Sequence, residues 1–234
     1  MKDEVMQFMQ EFYANGKLAK GLNSSFIALV PKKENAVELV DFRLISLVNS
    51  IYKILAKVLS RRLKKVIPAV INEAQTTFIG DRCILDGVMI ANEVIEWWKC
   101  SKHKGVILKL DFEKAYDSMN WDFLFSMLCN FGFDEKWICW VKECLTSSKI
   151  SVLVNGSPTD EFVPQRGLRQ GDPLSPFLLN IVVEGLNLLF SRAKQLRLFK
   201  GASVGSTNMS ILHLQFANDT IIFCEAEALE LLSI

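Results

Sequence analysis

The sequence lacks any apolar segment long enough to cross a bilayer, and it lacks a secretory signal. Its longest stretch without Asp, Glu, Lys or Arg, 201–218, contains Ser, Thr, Asn, His and Gln, so it does not predict a membrane-spanning helix. The chain begins with Lys2, Asp3 and Glu4, whereas a signal peptide has a basic start followed by an apolar run. These absences argue against secreted and membrane proteins. We therefore expect an intracellular chain without a membrane partner, in the nucleus or the cytoplasm.

The cysteines and histidines of this chain do not form the arrangements that bind metals or act as nucleophiles. None of the six cysteines forms a C-x-x-C pair, and Cys139 and Cys144 have no second pair to complete a zinc site. Without a secretory signal, reduced thiols are expected. A Ser-His or Cys-His nucleophile is also poorly supported, because His103 lies in a charged turn and His213 lies in an alternating strand pattern.

A large excess of one charge sign is also missing. The chain has 27 Lys and Arg against 26 Asp and Glu, which excludes a wholly basic nucleic-acid coat but not a local basic groove. Half of the residues are hydrophobic, which excludes a disordered protein. A length of 234 residues allows one large domain or two small ones, with a core that needs neither disulfides nor metal.

The charges are distributed unevenly. Residues 31–65 carry nine basic and three acidic side chains, whereas residues 201–234 carry four acids and no Lys or Arg. This polarity is a candidate feature of a phosphate-binding protein with a metal site. Apolar residues at helical spacing over 51–63 predict a helix, with Asn49 or Ser50 as its cap. Its second stripe is basic: Lys53, Lys57, Arg61 and Lys64. This basic stripe is either a solvated face or a track for a phosphate backbone.

Predicted strands and helices alternate along the chain. Apolar runs and alternating patterns predict strands at 26–30, 106–110, 150–154, 160–163, 211–216 and 220–224. Helical spacing and caps predict helices at 86–98, at 121–130, after Asp134 and from Ser175 to about Leu198. The inward side of the 86–98 helix is expected to carry Val88, Ala91, Ile95 and Trp98. Asn155-Gly156 predicts a hairpin whose second strand is 160–163.

Two acids stand at the ends of predicted strands. Asp111 ends the 106–110 strand, and Asp219 is expected in the tight turn between 211–216 and 220–224. If these strands are neighbours in one sheet, the two carboxylates converge. Converging carboxylates with open positions suit Mg²⁺, which retains waters and binds substrate phosphates. The alternative from these two residues alone is that each Asp merely marks the boundary between a strand and a turn.

The sequence motifs around these acids resemble those of a known family. The segments are LDFEKAYD at 110–117, RGLRQGDPLSP at 166–176 and LQFAND at 214–219. In order and spacing they resemble the catalytic motifs of reverse transcriptases of non-LTR (LINE-type) retrotransposons. Upstream, DFRLISL at 41–47 and YKILAK at 52–57 resemble the finger motif and its continuation, and Gln75, Phe78 and Arg82 also match. The resemblance extends from about residue 26 to about residue 224.

The resemblance implies a fold, an activity and partners. The fold would be mixed α/β (α+β), a right-hand polymerase with fingers, an antiparallel palm sheet and no thumb. Residues 1–25 would form a lead-in helix, and 26–234 the reverse transcriptase domain, truncated after the catalytic hairpin. The activity would be an RNA-directed DNA polymerase that uses an RNA template, a DNA primer and deoxynucleoside triphosphates. The cofactors would be two Mg²⁺ ions, with Mn²⁺ as an alternative.

The resemblance also implies roles for single residues. Asp111 and Asp219 would be metal ligands, with Asn218 at the remaining catalytic position. A nucleotide-binding group would consist of Phe112, Tyr116, Gln170, Gly171, Arg43 and Lys33. Within it, the Tyr116 ring would lie under the incoming sugar, with ordinary core packing as the alternative. Arg166 and Arg169 would either have a functional role within the motif or form structural salt bridges.

The departures from the family pattern are as informative as the matches. Asn218 replaces the first of two adjacent aspartates from which the family takes a metal ligand, so one negative charge is missing. Leu44 replaces a proline, and Thr77 replaces a small residue. We therefore expect a degenerate enzyme that is weakly active or inactive. The alternatives are a non-catalytic nucleic-acid-binding remnant that uses the basic stripe, and a pseudogene product that does not fold.

Overall fold

A computed structural model describes residues 2–80, 82–112, 114–206 and 208–226 of the chain. The described chain divides into two units. The first unit comprises residues 1–65 and 114–179, and the second comprises 66–113 and 180–234. Within the described residues, no helix combines the length and the apolar character needed to cross a membrane. Glu227 and Glu230 of the acidic C-terminal part lie outside the described residues.

The first unit contains a four-stranded sheet and several helices. Its strands are β1 (Ser24–Pro31), β2 (Phe42–Val48), β4 (Lys149–Val154) and β5 (Ser157–Pro158), in the order β2-β1-β4-β5. β1 is antiparallel to β2 and parallel to β4. The helices are α1 (Lys2–Asn15), α4 (Ala115–Ser118), α5 (Trp121–Asn130), α6 (Glu135–Thr146) and the first part of α2 (Ser50–Val70), with a 3₁₀ turn at Leu39–Asp41.

The second unit is built around an antiparallel sheet of three strands. These are β3 (Gly105–Asp111), β9 (Asp219–Glu225) and β8 (His213–Phe216), in the order β3-β9-β8. β6 (Ala202–Val204) and β7 (Met209–Ile211) form a separate pair. α3 (Ile84–Ser101) and most of α7 (Ser175–Gln195) complete the unit. Val94, Trp98, Ala202 and Phe223 form one buried cluster of this unit.

Local sequence chemistry explains why several elements begin and end where they do. The predicted helix at 121–130 is confirmed as α5, and Gly132 beyond its end has a positive φ of 77°. Asp134 caps α6, because its carboxylate accepts a hydrogen bond from the backbone N–H of Lys136. The Asn49 side chain caps α2 in the same way by accepting from the N–H of Ile51 at 2.9 Å. The division at residue 25 into a lead-in helix and a domain stays a prediction.

Four local predictions are wrong. The side chain of Val88 is 51% exposed, whereas Val94 is fully buried, because α3 carries apolar residues on most of its circumference. The 150–154 strand returns as Ser157–Pro158 directly after the Asn155-Gly156 turn, and of 160–163 only Phe162 bridges back, to Ile150. The 211–216 run is divided between β7 and β8. α7 ends at Gln195 rather than near 198.

Candidate active site

The two acids singled out from the sequence lie opposite each other in the second unit. β3 and β9 are antiparallel neighbours, and their register pairs Asp111 with Asp219. The two strands are therefore neighbours in one antiparallel sheet, which is the condition under which the two carboxylates were expected to converge. Asp219 is the first residue of β9, which corrects its expected place in the turn. Strand pairing fixes both backbones, so the two carboxylates project from a rigid sheet edge.

The turn before Asp219 consists of Ala217 and Asn218, since Phe216 already pairs with Asp219. Ala217 has a positive φ of 53°, at the first central position of the turn, where hairpins of this length favour glycine. The Asn218 side chain extends to β3, and its Nδ2 donates a hydrogen bond to Asp111 Oδ1 at 2.9 Å. The residue that replaces a carboxylate thus supplies a donor to the neighbouring carboxylate.

Asp219 also has a partner with hydrogen-bond donors. The ammonium of Lys109 lies 3.3 Å from Asp219 Oδ1, and both side chains are exposed to solvent. Lys109 therefore reduces the negative charge of the site, a role that sequence reasoning missed. The alternation of β3 is the signal that could have found it, because Lys109 and Asp111 are two residues apart on the same strand face.

The donor set suits a hard divalent cation held by few protein ligands. Asp111 and Asp219 offer carboxylate oxygens, and Asn218 offers one neutral carbonyl oxygen once its side chain turns around. Among the described residues there is no cluster of three or more His, Cys, Asp or Glu side chains that could hold a metal by itself. Mg²⁺ commonly uses one or two carboxylates together with waters and substrate phosphates, so the residues present fit such an ion.

Phe112 and Tyr116 of the predicted nucleotide-binding group lie on different units. Phe112 directly follows Asp111 in the second unit, and its backbone N–H donates to Asn218 O at 3.4 Å. Tyr116 lies in α4 of the first unit, where its half-buried ring has a phenol pKa raised by burial. The Tyr116 carbonyl accepts a hydrogen bond from Leu168 N–H at 2.6 Å. The LRQGDP segment therefore lies against α4 in the first unit.

Two glycines allow this segment to approach its neighbours closely. Gly167 has a φ of 86°, and a Cβ placed there would lie 2.7 Å from the carbonyl oxygen of Asp117. Gly171 has a φ of 103°, and its Cβ would lie 3.0 Å from Ser46 O. Between them, Gln170 O accepts a hydrogen bond from Ser46 N–H at 2.7 Å. Gln170 and Gly171 are thereby fixed against β2, the strand that carries Arg43.

A cavity of about 390 Å³ lies within the first unit beside this segment. Its lining is mainly apolar, with polar groups from Gln170, Asp117 and Arg166. Burial raises the pKa of Asp117, and a hydrogen bond from the Gln170 side chain partly offsets that rise. The cavity brings Gln170 of the predicted group together with Asp117, which the sequence did not single out.

Arg43 and Lys33 differ in how freely they can meet a ligand. Arg43 is exposed on β2 and pairs across the sheet with Val30. Lys33 forms an ion pair with Asp41, with Nζ 2.8 Å from Oδ1, and this hydrogen bond lowers the pKa of the Asp41 carboxyl. A phosphate at Lys33 would therefore compete with Asp41.

The alternatives for the two arginines are now distinguished. Arg166 is exposed, whereas Arg169 is buried and forms an ion pair with Asp172 at 2.8 Å. Tyr52 donates a hydrogen bond to the same Asp172 oxygen at 2.7 Å, and the Arg169 guanidinium lies over the Tyr52 ring. Burial and the adjacent Asp172 raise the pKa of Tyr52 well above its ordinary value. The i, i+3 spacing of Arg169 and Asp172 was the available signal for this structural role.

The basic stripe lies on the exposed side of α2. Lys53, Lys57, Arg61 and Lys64 are all exposed, and none forms an ion pair with any residue that the structure describes. The opposite side of the helix is buried through residues such as Tyr52, Leu55 and Leu59. Four exposed cations on one rigid helix can follow a phosphate backbone, but a solvated face has the same geometry.

Comparison with known proteins provides an independent view. A family model described as reverse transcriptase (RNA-dependent DNA polymerase) matches residues 30–232. The chain is 27% identical over 217 residues to the Transposon TX1 uncharacterized 149 kDa protein of Xenopus laevis, which covers 93% of this chain and 16% of that protein. It is 29% identical over 212 residues to the Retrovirus-related Pol polyprotein from type-2 retrotransposable element R2DM of Drosophila melanogaster, covering 90% of this chain and 19% of that protein. The chain thus spans less than a fifth of the length of either relative.

Solved structures of telomerase share the fold. The structure of apo telomerase from Candida tropicalis, truncated from the C-terminal domain, matches with a TM-score of 0.58 and 12% identity over 97% of this chain and 49% of that chain. Telomerase from Candida albicans, in complex with a fragment of telomeric RNA, matches with a TM-score of 0.58 and 14% identity over 94% of this chain and 42% of that chain. Together with the family model and the retrotransposon relatives, these matches show that the chain belongs to the reverse transcriptase family, in its non-LTR retrotransposon type, with a right-hand polymerase fold.

Proposed function

We propose that this domain adds deoxynucleotides to a DNA primer along an RNA template. The observation that carries the proposal is the cross-strand pair of Asp111 and Asp219, with Asn218 beside them in the turn. Two carboxylates on paired strands at a solvent-accessible edge are what a metal-dependent nucleotidyl transfer requires. Membership of the reverse transcriptase family supports the same chemistry, and the telomeric RNA bound by the Candida albicans neighbour supports a nucleic-acid template.

Reverse transcriptases depend on divalent metal, and for this chain we propose two Mg²⁺ ions, with Mn²⁺ as an alternative. Asp111 and Asp219 would hold them. When bound, such ions neutralise charge on the attacking and leaving oxygens of an in-line displacement. To bind these ions, Asp111 must give up its hydrogen bond from the Asn218 amide. The Asp219 carboxylate must bind metal while it is paired with the Lys109 ammonium, or lose that ion pair. Because these contacts compete with the metal, they support a weakly active site.

The nucleotide would be held by residues of the motifs at 110–117 and 166–176, together with Arg43 and Lys33. The Tyr116 ring would support the sugar, and the Phe112 backbone would pass the triphosphate. Gln170 and Gly171 are proposed to line the pocket for the base and template. The guanidinium of Arg43 suits phosphate oxygens, because it offers a planar fork of donors. Lys33 would assist after exchanging Asp41 for a phosphate.

A second candidate function is nucleic-acid binding without polymerisation. The hydrogen bond from Asn218 to Asp111 favours it, because it satisfies one carboxylate in the absence of metal. The basic stripe on α2 would then supply most of the affinity through phosphate contacts, which are independent of sequence. The two functions differ in whether the acids matter.

Single-nucleotide addition on an RNA template with a DNA primer tests the proposal, with the Asp111→Asn variant as the matched control. We expect slow addition by the natural chain that requires Mg²⁺ and is lost in the variant, while template binding is unchanged. Equal incorporation by both proteins would refute the metal-ligand assignment. Tight binding with no incorporation by either protein would favour the second function, and a thermal melt shows whether each chain is folded.

A further inference from the structure

The catalytic turn is held by a side chain that belongs to a distant part of the sequence in the same unit. Gln75 is 1% exposed, and both atoms of its amide bond to the backbone of Ala217. The Ala217 N–H donates to Gln75 Oε1 at 3.1 Å, and Gln75 Nε2 donates to Ala217 O at 3.2 Å. One amide therefore satisfies both backbone groups of the residue that precedes Asn218.

We call these two hydrogen bonds between the Gln75 side chain and the Ala217 backbone the amide clamp. They hold Ala217 in an unfavourable backbone conformation. Ala217 has a φ of 53°, which side chains with a Cβ adopt at a cost that glycine does not have. The turn must nevertheless keep this shape, because the following residue, Asn218, reaches Asp111 and Asp219 begins β9. The two hydrogen bonds of the clamp provide a specific stabilisation of that conformation.

The backbone around Gln75 is itself held by further hydrogen bonds. Gln215 N–H donates to Ala74 O at 2.8 Å, and Thr76 N–H donates to Gln215 O at 3.1 Å, so the backbone around Gln75 pairs with β8. The Arg82 guanidinium donates to Gln75 O at 2.7 Å and to Asn72 O at 2.6 Å. Gln75 therefore presents its amide from a backbone that cannot easily move away from the turn.

We propose that Gln75 is a positioning residue for the catalytic turn. Its amide bonds to the backbone of Ala217 and not to a carboxylate, and it acts by holding Ala217 so that Asn218 and Asp219 keep their places beside Asp111. The importance of this position for catalysis rests on the proposed function, whereas the clamp itself is a property of the fold and can be measured without any activity.

Backbone hydrogen exchange at Ala217 in the full chain provides the direct test. Gln75→Met keeps the length and removes both hydrogen bonds to Ala217, together with the one that Gln75 Oε1 accepts from Thr77 N–H, so exchange at Ala217 should rise about fivefold or more. Thr76→Val is the matched control, because it removes the hydrogen bond from the Thr76 hydroxyl to Gln215 O and leaves the clamp intact. If Ala217 exchanges at the natural rate in Gln75→Met, or if Thr76→Val has the same effect, the proposal is wrong.

A rescue experiment separates positioning from general stability. Glycine adopts a positive φ readily, so Ala217→Gly should reduce the effect of Gln75→Met on the turn by several-fold, whereas it should leave the effect of Thr76→Val unchanged. If Gln75→Met does not fold, Gln75→Glu retains the acceptor for Ala217 N–H and should give an intermediate increase in exchange. Absence of rescue, or no increase in the Glu variant, would overturn the proposal.

Metal affinity and kinetics connect the clamp to the site. In the Asn218→Asp chain, Mn²⁺ titration should show affinity at least about threefold weaker when Gln75 is replaced by Met and unchanged when Thr76 is replaced by Val. Nucleotide addition should then fall in kcat while KM for the primer–template stays constant. Altered exchange together with no incorporation by any variant would refute the proposed polymerase function and leave the clamp supported. Unaltered exchange would refute the clamp alone.

Discussion

Replacing Asn218 by Asp changes the candidate site by one charge, and the structure gives the size of the effect. The substitution converts a 2.9 Å hydrogen bond to Asp111 into a contact between two carboxylates. A hydrogen bond to a charged group contributes about 1.5–3 kcal/mol, toward the low end here because the pair is exposed. Repulsion at such a solvated site adds about 1 kcal/mol. Without divalent cations, we expect the free energy of unfolding to fall by about 2.5 kcal/mol.

With divalent cations, metal binding opposes this loss of stability. The new carboxylate becomes a metal ligand, so Mg²⁺ should raise the Tm of Asn218→Asp by more than that of the natural chain. Single-nucleotide addition at saturating primer–template should be at least about tenfold faster, which corresponds to about 1.4 kcal/mol of transition-state stabilisation. Asn218→Ala is the control, because it removes the hydrogen bond and adds no ligand.

The reasoning would be refuted by a clear set of results. If Asn218→Asp and Asn218→Ala respond equally to Mg²⁺ and add nucleotides at equal rates, position 218 is not a ligand position. If the natural chain already incorporates nucleotides at ordinary polymerase rates, the missing carboxylate is not limiting. Saturating primer–template is needed because weak retention of the duplex would otherwise conceal a change in the chemical step.

Three further predictions concern binding, backbone strain and pH. Charge reversal within the basic stripe, for example Lys57→Glu, should lower RNA and DNA affinity and change the salt slope by about one unit per lost phosphate contact; Lys99→Glu is the control, and an unchanged slope would mean that the stripe is only solvated. Gly167→Ala should lower the free energy of unfolding by about 1–3 kcal/mol more than Gly132→Ala in urea titrations, because both glycines have positive φ but only Gly167 meets a backbone oxygen. Burial lowers the pKa of His213 to about 4, below its ordinary value of 6.5, so the unfolded chain binds more protons in this window and stability falls as pH decreases from 6.5 to 4. We expect a loss of about 2 kcal/mol between pH 6.5 and pH 5, and a His213→Gln chain that loses just as much would contradict the assignment.

Elements with strong local signals were predictable from sequence. α5 has its predicted bounds because Asn120 caps it and Gly132 follows it. The pairing of Asp111 with Asp219 was predictable because Asp111 ends an apolar run and Asp219 lies at the tip of a predicted hairpin. By contrast, the inward side of α3 was not, since Ile84, Leu85, Val88 and Met89 are all exposed and the apolar pattern covers several faces.

The details of the candidate site depend on contacts that no local pattern encodes. The donation from Asn218 to Asp111 requires the β3–β9 register, and the Gln75 clamp joins residues 142 positions apart. The burial of Arg169 depends on Asn23, which accepts its hydrogen bond at 2.7 Å from the other end of the unit's sequence. An arginine next to a catalytic motif is equally compatible with ligand binding and with a buried salt bridge until that environment is known.

The parallel pairing of β1 with β4 has a consequence for how the chain folds during synthesis. Ser24 of β1 pairs with Lys149 of β4, a separation of 149 − 24 = 125 residues. At roughly 5–20 residues per second, a ribosome needs on the order of 6–25 seconds to deliver that partner. During this interval β1 can form its hairpin with β2, but its other edge remains open to pairing with strands of neighbouring nascent chains. Slower translation initiation or a lower expression temperature should therefore give a higher soluble yield than fast production.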